Sequence, residues 1–173
     1  TLSVHDFADG TEYVMDGDPV TLVFNTDSIT SWENGDNVVG VRVLMNFGED
    51  ETNSGGPLCA GSNNAQDSIT GMIIHDEHEQ TAQGSNANGQ GAVILETVWY
   101  NSTLAESGNV SGMSESEIHE QLDAGDAGLG EYSLEMTVEA DAGGRPGCSH
   151  SDEGEEITYA VQLLILDYSI ESA

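Results

Sequence analysis

Apolar and polar side chains alternate with a period of two along much of this chain, the pattern of strands with one face buried and one face wet. Tyr132, Leu134, Met136 and Val138 fall on one side, and Ser133, Glu135, Thr137 and Glu139 on the other. From Val39 to Phe47 every odd position is apolar. Pro19 to Asn25 places Val20, Leu22 and Phe24 on one face, and Gly91 to Tyr100 supplies Val93, Leu95 and Trp99 with Glu96 opposite. Ile69 to His75 and Thr11 to Met15 are shorter runs of the same kind. In the last run, Ile157, Tyr159, Val161, Leu163 and Ile165 form one set. From Leu164 onward the opposite set (Leu164, Leu166, Tyr168, Ile170) is apolar too. That switch predicts a bulge, or a strand that passes from one sheet to its partner.

Clusters of Gly, Asn, Asp and Ser at Glu33 to Asn37, Gly48 to Gln66, Gln83 to Gln90 and Ala140 to Gly154 read as turns and long acidic loops. One segment breaks the strand pattern. Ser114 followed by Glu117 is a capping box, Ile118 and Leu122 share a helical face, and the helix is expected to end near Gly125. The fold expected is all-β: an antiparallel β-sandwich, immunoglobulin-like or jelly-roll, with one short helix. At 173 residues without internal repeats, one domain spanning residues 1–173 is expected.

The surface of that domain must accommodate an extreme charge. Thirty-two carboxylates face two arginines, Arg42 and Arg145, with no lysine, for a formal charge of -30. Such a body repels phosphate backbones and anionic bilayers, which argues against nucleic-acid partners and direct binding to anionic membranes. It also repels itself. At about 1 M salt the Debye length falls to about 3 Å and most of that repulsion is screened. Adaptation to brine or seawater accounts for the composition, calcium neutralising local clusters is an alternative, and the two are compatible.

Cys59 and Cys148 lie in glycine- and proline-bearing loops, and an even count in such settings predicts one disulfide. It would close a loop of about 90 residues, worth about 4 kcal/mol in the chain-entropy model. The longest apolar run, near Val161 to Leu166, is far too short to cross a bilayer. Because the chain starts at Thr1 without methionine, a removed leader or an upstream anchor is expected. The expected location is extracellular or at the cell surface. Asn101-Ser102-Thr103 and Asn109-Val110-Ser111 are glycosylation sequons compatible with that location.

His75, Glu77 and His78 form the densest group of metal-ligand types, suited to zinc if they lie on a turn, because in a strand His75 and His78 point to opposite faces. The pattern is not the His-Glu-x-x-His of a metalloprotease. The pairs Asp16 and Asp18, and Asp123 and Asp126, sit in glycine-bearing turns that can offer calcium two carboxylates plus carbonyls, although neither follows the EF-hand loop. The chain carries no nucleophile elbow, P-loop or dinucleotide fingerprint.

The segment Gly130 to Val138, the lysine-free acidic composition and the closing run from Thr158 to Ile170 resemble immunoglobulin-like ectodomains of membrane-anchored surface proteins from marine and halophilic archaea. The resemblance implies a surface location and a non-enzymatic binding or structural role, and transfers no functional residue. The partners expected are other surface proteins, or copies of the chain itself. In a filament or pilus head, Thr1 to Met15 would add to a neighbour's sheet edge. A secreted hydrolase is the remaining reading.

Overall fold

A computed structural model describes residues 1–29, 37–48, 52–54, 67–75, 80–86, 91–108, 110–141 and 149–171. The loop cysteines Cys59 and Cys148 lie outside the described residues, as do Glu77, His78, Asn109 and Arg145.

The alternating segments form the strands they predict. They are β1 (Leu2–Met15), β2 (Val20–Asn25), β3 (Val38–Phe47), β5 (Ser68–His75), β7 (Gly91–Val98), β8 (Glu131–Glu139) and β10 (Gly154–Leu166). Two short strands, β4 (Thr52–Ser54) and β9 (Ser149–Ser151), pair with each other, and β6 (Gln80–Asn86) completes a hairpin with β5. The main strands build two four-stranded sheets, ordered β1-β10-β3-β7 and β2-β8-β5-β6, with antiparallel ladders throughout. The chain is thus a mostly antiparallel β protein in two sheets, consistent with a β-sandwich.

The inward positions of both sheets meet in one core that includes Val41, Val43, Met45, Ile73, Leu134, Met136, Val161 and Leu163. At one register shift, between Asp6 and Ala8 of β1, Phe7 turns toward that core and meets Tyr132 edge-on, with ring centroids 5.6 Å apart. The segment from Thr1 to Met15, considered above as a donor strand for a neighbour, pairs with the chain's own β10 from Leu2 to Met15, apart from the bulged Phe7.

The late switch in β10 marks a strand end buried on both faces, and the bulge there lies in its partner β3. The ladder slips between Leu164 and Ile165, where β3 carries the extra residue Val39. Val38 then faces the main core, while Val39, Leu164 and Leu166 face the other way into a second, smaller core. Two helices cover it: α1 (Ser102–Ser107) and α2 (Glu115–Leu122). The Ser114–Glu117 capping box is present, with Ile118 and Leu122 buried. Helix α1 was not expected. Asn101 caps its start, its side chain accepting from Leu104 N–H at 3.0 Å, and Gly108 ends it at φ 62°. Six residues are too few for a 3.6-residue period to stand out.

Removing the Ser114 cap by Ser114→Ala should lower stability by about 1 kcal/mol, read by urea denaturation in molar salt. Its partner Glu117 has a carboxyl held below the usual carboxylate range, first by the Ser114 backbone N–H and then by the Ser114 hydroxyl. A carboxyl lowered on folding stabilises the fold above its unfolded value, and that contribution disappears as pH falls through the folded one. The capping box should therefore weaken only in acid. A Glu117 carboxyl resonance that titrates in the ordinary range would refute this.

Gly154 opens β10 at φ 142°, with the Val14 carbonyl oxygen and Met15 Cα (2.7 Å) where a Cβ would stand. Both obstacles are backbone, so they cannot rotate aside. Gly154→Ala should cost about 2 kcal/mol, visible as a lower melting temperature.

Candidate functional site

Two groups of polar side chains stand out, at different places in the fold. The first gathers where β1 and β8 end and β5 and β10 begin. The Asp16 amide donates to Glu153 O at 3.0 Å, and the Gly17 amide donates to Val138 O at 3.1 Å, so the turn after β1 is tied to both sheets. Asp67, just before β5, is fully buried, and its Oδ1 accepts from the Asp141 amide at 2.8 Å. Asp152 accepts from the Gly154 amide at 3.2 Å in the turn leading into β10. Glu155, opposite Val14 of β1, is fully buried as well. One carboxylate oxygen from each of Asp67, Asp152 and Glu155 lies within 4.8 Å of the others. Ionised carboxylates this close repel one another by about 4 kcal/mol per pair at an effective dielectric of about 20. The grouping demands positive charge or protons.

The second group lies on the helical layer. The Asn37 side chain donates to Leu122 O (2.8 Å) and accepts from the Ala124 amide (2.8 Å), while the Leu166 amide donates to Asn37 O (3.0 Å). These bonds hold the end of α2 beside the end of β10. A groove of about 680 Å³ opens there, with Leu104, Val110, Met113, Ile118 and Tyr168 among its walls. In an adjoining hollow that shares Tyr168 with it, His119 Nδ1 lies 3.0 Å from Asp123 Oδ2 and also contacts the Tyr168 hydroxyl, which donates to Asp123 Oδ1 at 2.7 Å. Glu115 approaches the other ring nitrogen at 3.9 Å. Burial raises the Tyr168 phenol above its ordinary value, and the bond to Asp123 and that residue's charge raise it further. Tyr168 therefore stays protonated and acts as a donor. The Asp123–His119 pair resembles the orienting half of a hydrolytic triad, yet the hydroxyl set against it is this phenol, not a serine.

Of the residues singled out in the sequence, those described are not among Asp67, Asp152 and Glu155, although Asp16 lies in the turn beside them. His75 ends β5 with its ring fully buried and stacked on Tyr132, centroids 4.1 Å apart. Its Nδ1 lies 2.8 Å from Glu131 O and its Nε2 lies 2.7 Å from Ala127 O. Both ring nitrogens are thus turned to backbone carbonyls. Asp16 and Asp18 are exposed, and Asp16 Oδ1 accepts from the Ala140 amide at 3.0 Å. Asp123 belongs to the His119 group, while Asp126 sits exposed in the short 3-10 turn from Gly125 to Gly128. Asn101 is exposed; besides capping α1 it donates through Nδ2 to Gln121 Oε1 at 3.0 Å, a bond that a glycan on that nitrogen would have to replace.

None of Asp67, Asp152 and Glu155 was marked from the sequence. Their one local signal is the register of β10: counting back by twos from Leu163, Tyr159 and Ile157, the next inward position is Glu155. An acid on an apolar face is a conspicuous exception to alternation. No protein-family model matches the chain, and no curated protein matches its sequence.

Proposed function

We propose that this chain is an extracytoplasmic, salt-adapted surface domain with a non-enzymatic binding or structural role. The observation that carries this reading is how the carboxylates are spread over the folded body. Asp6, Asp9, Asp16, Asp18, Asp27, Glu96, Glu106, Glu115, Glu117 and Glu120 are all exposed. Against them Arg42 makes a 2.6 Å bond to Glu96. A net charge of -30 so displayed favours surroundings rich in counterions.

The sandwich is read here as a jelly roll. What supports this is the nesting of its ladders: β1 with β10, β2 with β8, β3 with β7, and β5 with β6, the pairs of one long hairpin rolled onto itself. In the immunoglobulin arrangement, by contrast, consecutive strands such as A and B, or F and G, are sheet neighbours.

Protease treatment of intact cells tests the location. The domain should be cleaved before the cells are broken, and a domain cut only after lysis would overturn the reading. Light scattering in molar salt separates this role from a filament subunit: a monomer at high concentration is expected, and growing assemblies would favour the filament.

A further inference from the structure

We propose that Asp67, Asp152 and Glu155 form a calcium site that clips the two sheets together at one end of the sandwich. This goes beyond the surface role, and either could fail without the other.

Asp67 leads into β5 of one sheet, and Glu155 lies in β10 of the other, so an ion held between them adds a second tie at the end where the Gly17–Val138 bond already links the two layers. The acids alone would not establish a site. The independent observation is Asp67 itself: with no solvent exposure, its Oδ2 receives no hydrogen bond from any described residue. A buried carboxylate oxygen without a donor is strongly disfavoured unless a cation meets it.

The donor set selects the kind of cation. All three side chains offer oxygen, which suits a hard divalent ion rather than zinc or copper. Calcium accepts oxygens at about 2.3–2.6 Å, so two oxygens on one calcium ion lie no more than about 5 Å apart. The ligand oxygens here fall within 4.8 Å of one another. Magnesium, at about 2.0–2.1 Å, needs a tighter cage and keeps several waters, which a site with two fully buried ligands accommodates poorly. Each of the three acids offers one carboxylate oxygen to the cluster, and Asp67 and Asp152 each also accept a hydrogen bond from a backbone amide. Water and carbonyl oxygens would complete the six to eight ligands that calcium takes.

The test uses the full chain, stripped with EGTA and kept in about 2 M sodium chloride so that screening is constant. Adding about 1 mM calcium chloride should raise the melting temperature by about 5 °C or more, magnesium chloride should do much less, and equilibrium dialysis should find one calcium per chain. Asp67→Asn and Glu155→Gln should each abolish the shift, and Asp18→Asn, which alters an exposed acid outside the cluster, should keep it. A shift retained in full by Asp67→Asn would overturn the proposal. So would absence of bound calcium in the unaltered chain, a result that stands even if the variants fail to fold. Arg145→Gln supplies the rival countercharge arm: if it lowers the melting temperature while calcium neither binds nor stabilises, a guanidinium neutralises the acids and the calcium site is refuted.

Discussion

Raising sodium chloride from about 0.05 M to about 2 M, with calcium chelated, should lift the melting temperature by about 10 to 20 °C. The carboxylates on the outer faces of both sheets and on α2 have few cations within reach, and compaction brings them closer together than they are in the unfolded chain. At about 0.05 M salt the Debye length is about 14 Å, so each carboxylate repels many others across several neighbouring strands. At molar salt it is shorter than the spacing between neighbouring strands, and only adjacent charges interact. A gain of about 5 kcal/mol would be comparable to the whole stability of an ordinary domain. Differential scanning calorimetry across the salt range measures it directly. A flat melting temperature would remove the electrostatic basis of the surface reading. If millimolar calcium at low salt reproduced the full gain, local neutralisation would account for the composition instead.

His75→Leu should destabilise the fold by about 3 kcal/mol, a fall of about 6 to 12 °C. Leucine matches the apolar surroundings, but it leaves the carbonyls of Glu131 and Ala127 without the ring that now faces them. Each buried acceptor left unsatisfied costs about 1–3 kcal/mol. His119→Leu is the matched control: that ring is exposed, and its loss should change stability by less than about 0.5 kcal/mol. Equal effects of the two substitutions, measured by urea denaturation in molar salt, would show that the buried bonds are not made.

The strands were the most legible part of the fold, because a half-buried strand writes its environment into every second residue. Helix α2 was legible because the Ser114–Glu117 cap is a short, local pattern. The failures have equally local causes. The first half of β1, Leu2 to Gly10, is an edge strand with exposed Leu2 and Val4 and a bulge at Phe7, so its alternation is broken. Strand β6 runs through glutamine, glycine, serine and asparagine and takes its register from β5 rather than from an apolar face of its own. Helix α1 was hidden by its length, and its cap Asn101 was read as a sequon.

The functional groups were less legible still. His75 was noticed for the ligands beside it in sequence, whereas its surroundings are set by Ala127, Glu131 and Tyr132. Asp67, Asp152 and Glu155 went unmarked because single carboxylates carry no distinguishing signal in a chain with thirty-two of them.

By itself, then, the sequence determined the inward face of each long strand, the start of α2, and a surface charge that any folded form must carry. These depend on residue type and on neighbours a few positions away. Tertiary structure alone decided which strands pair in each sheet, that His75 turns inward, and that three distant acids converge between the sheets. Such meetings depend on loop closure and on which faces pack together, quantities spread over the whole chain.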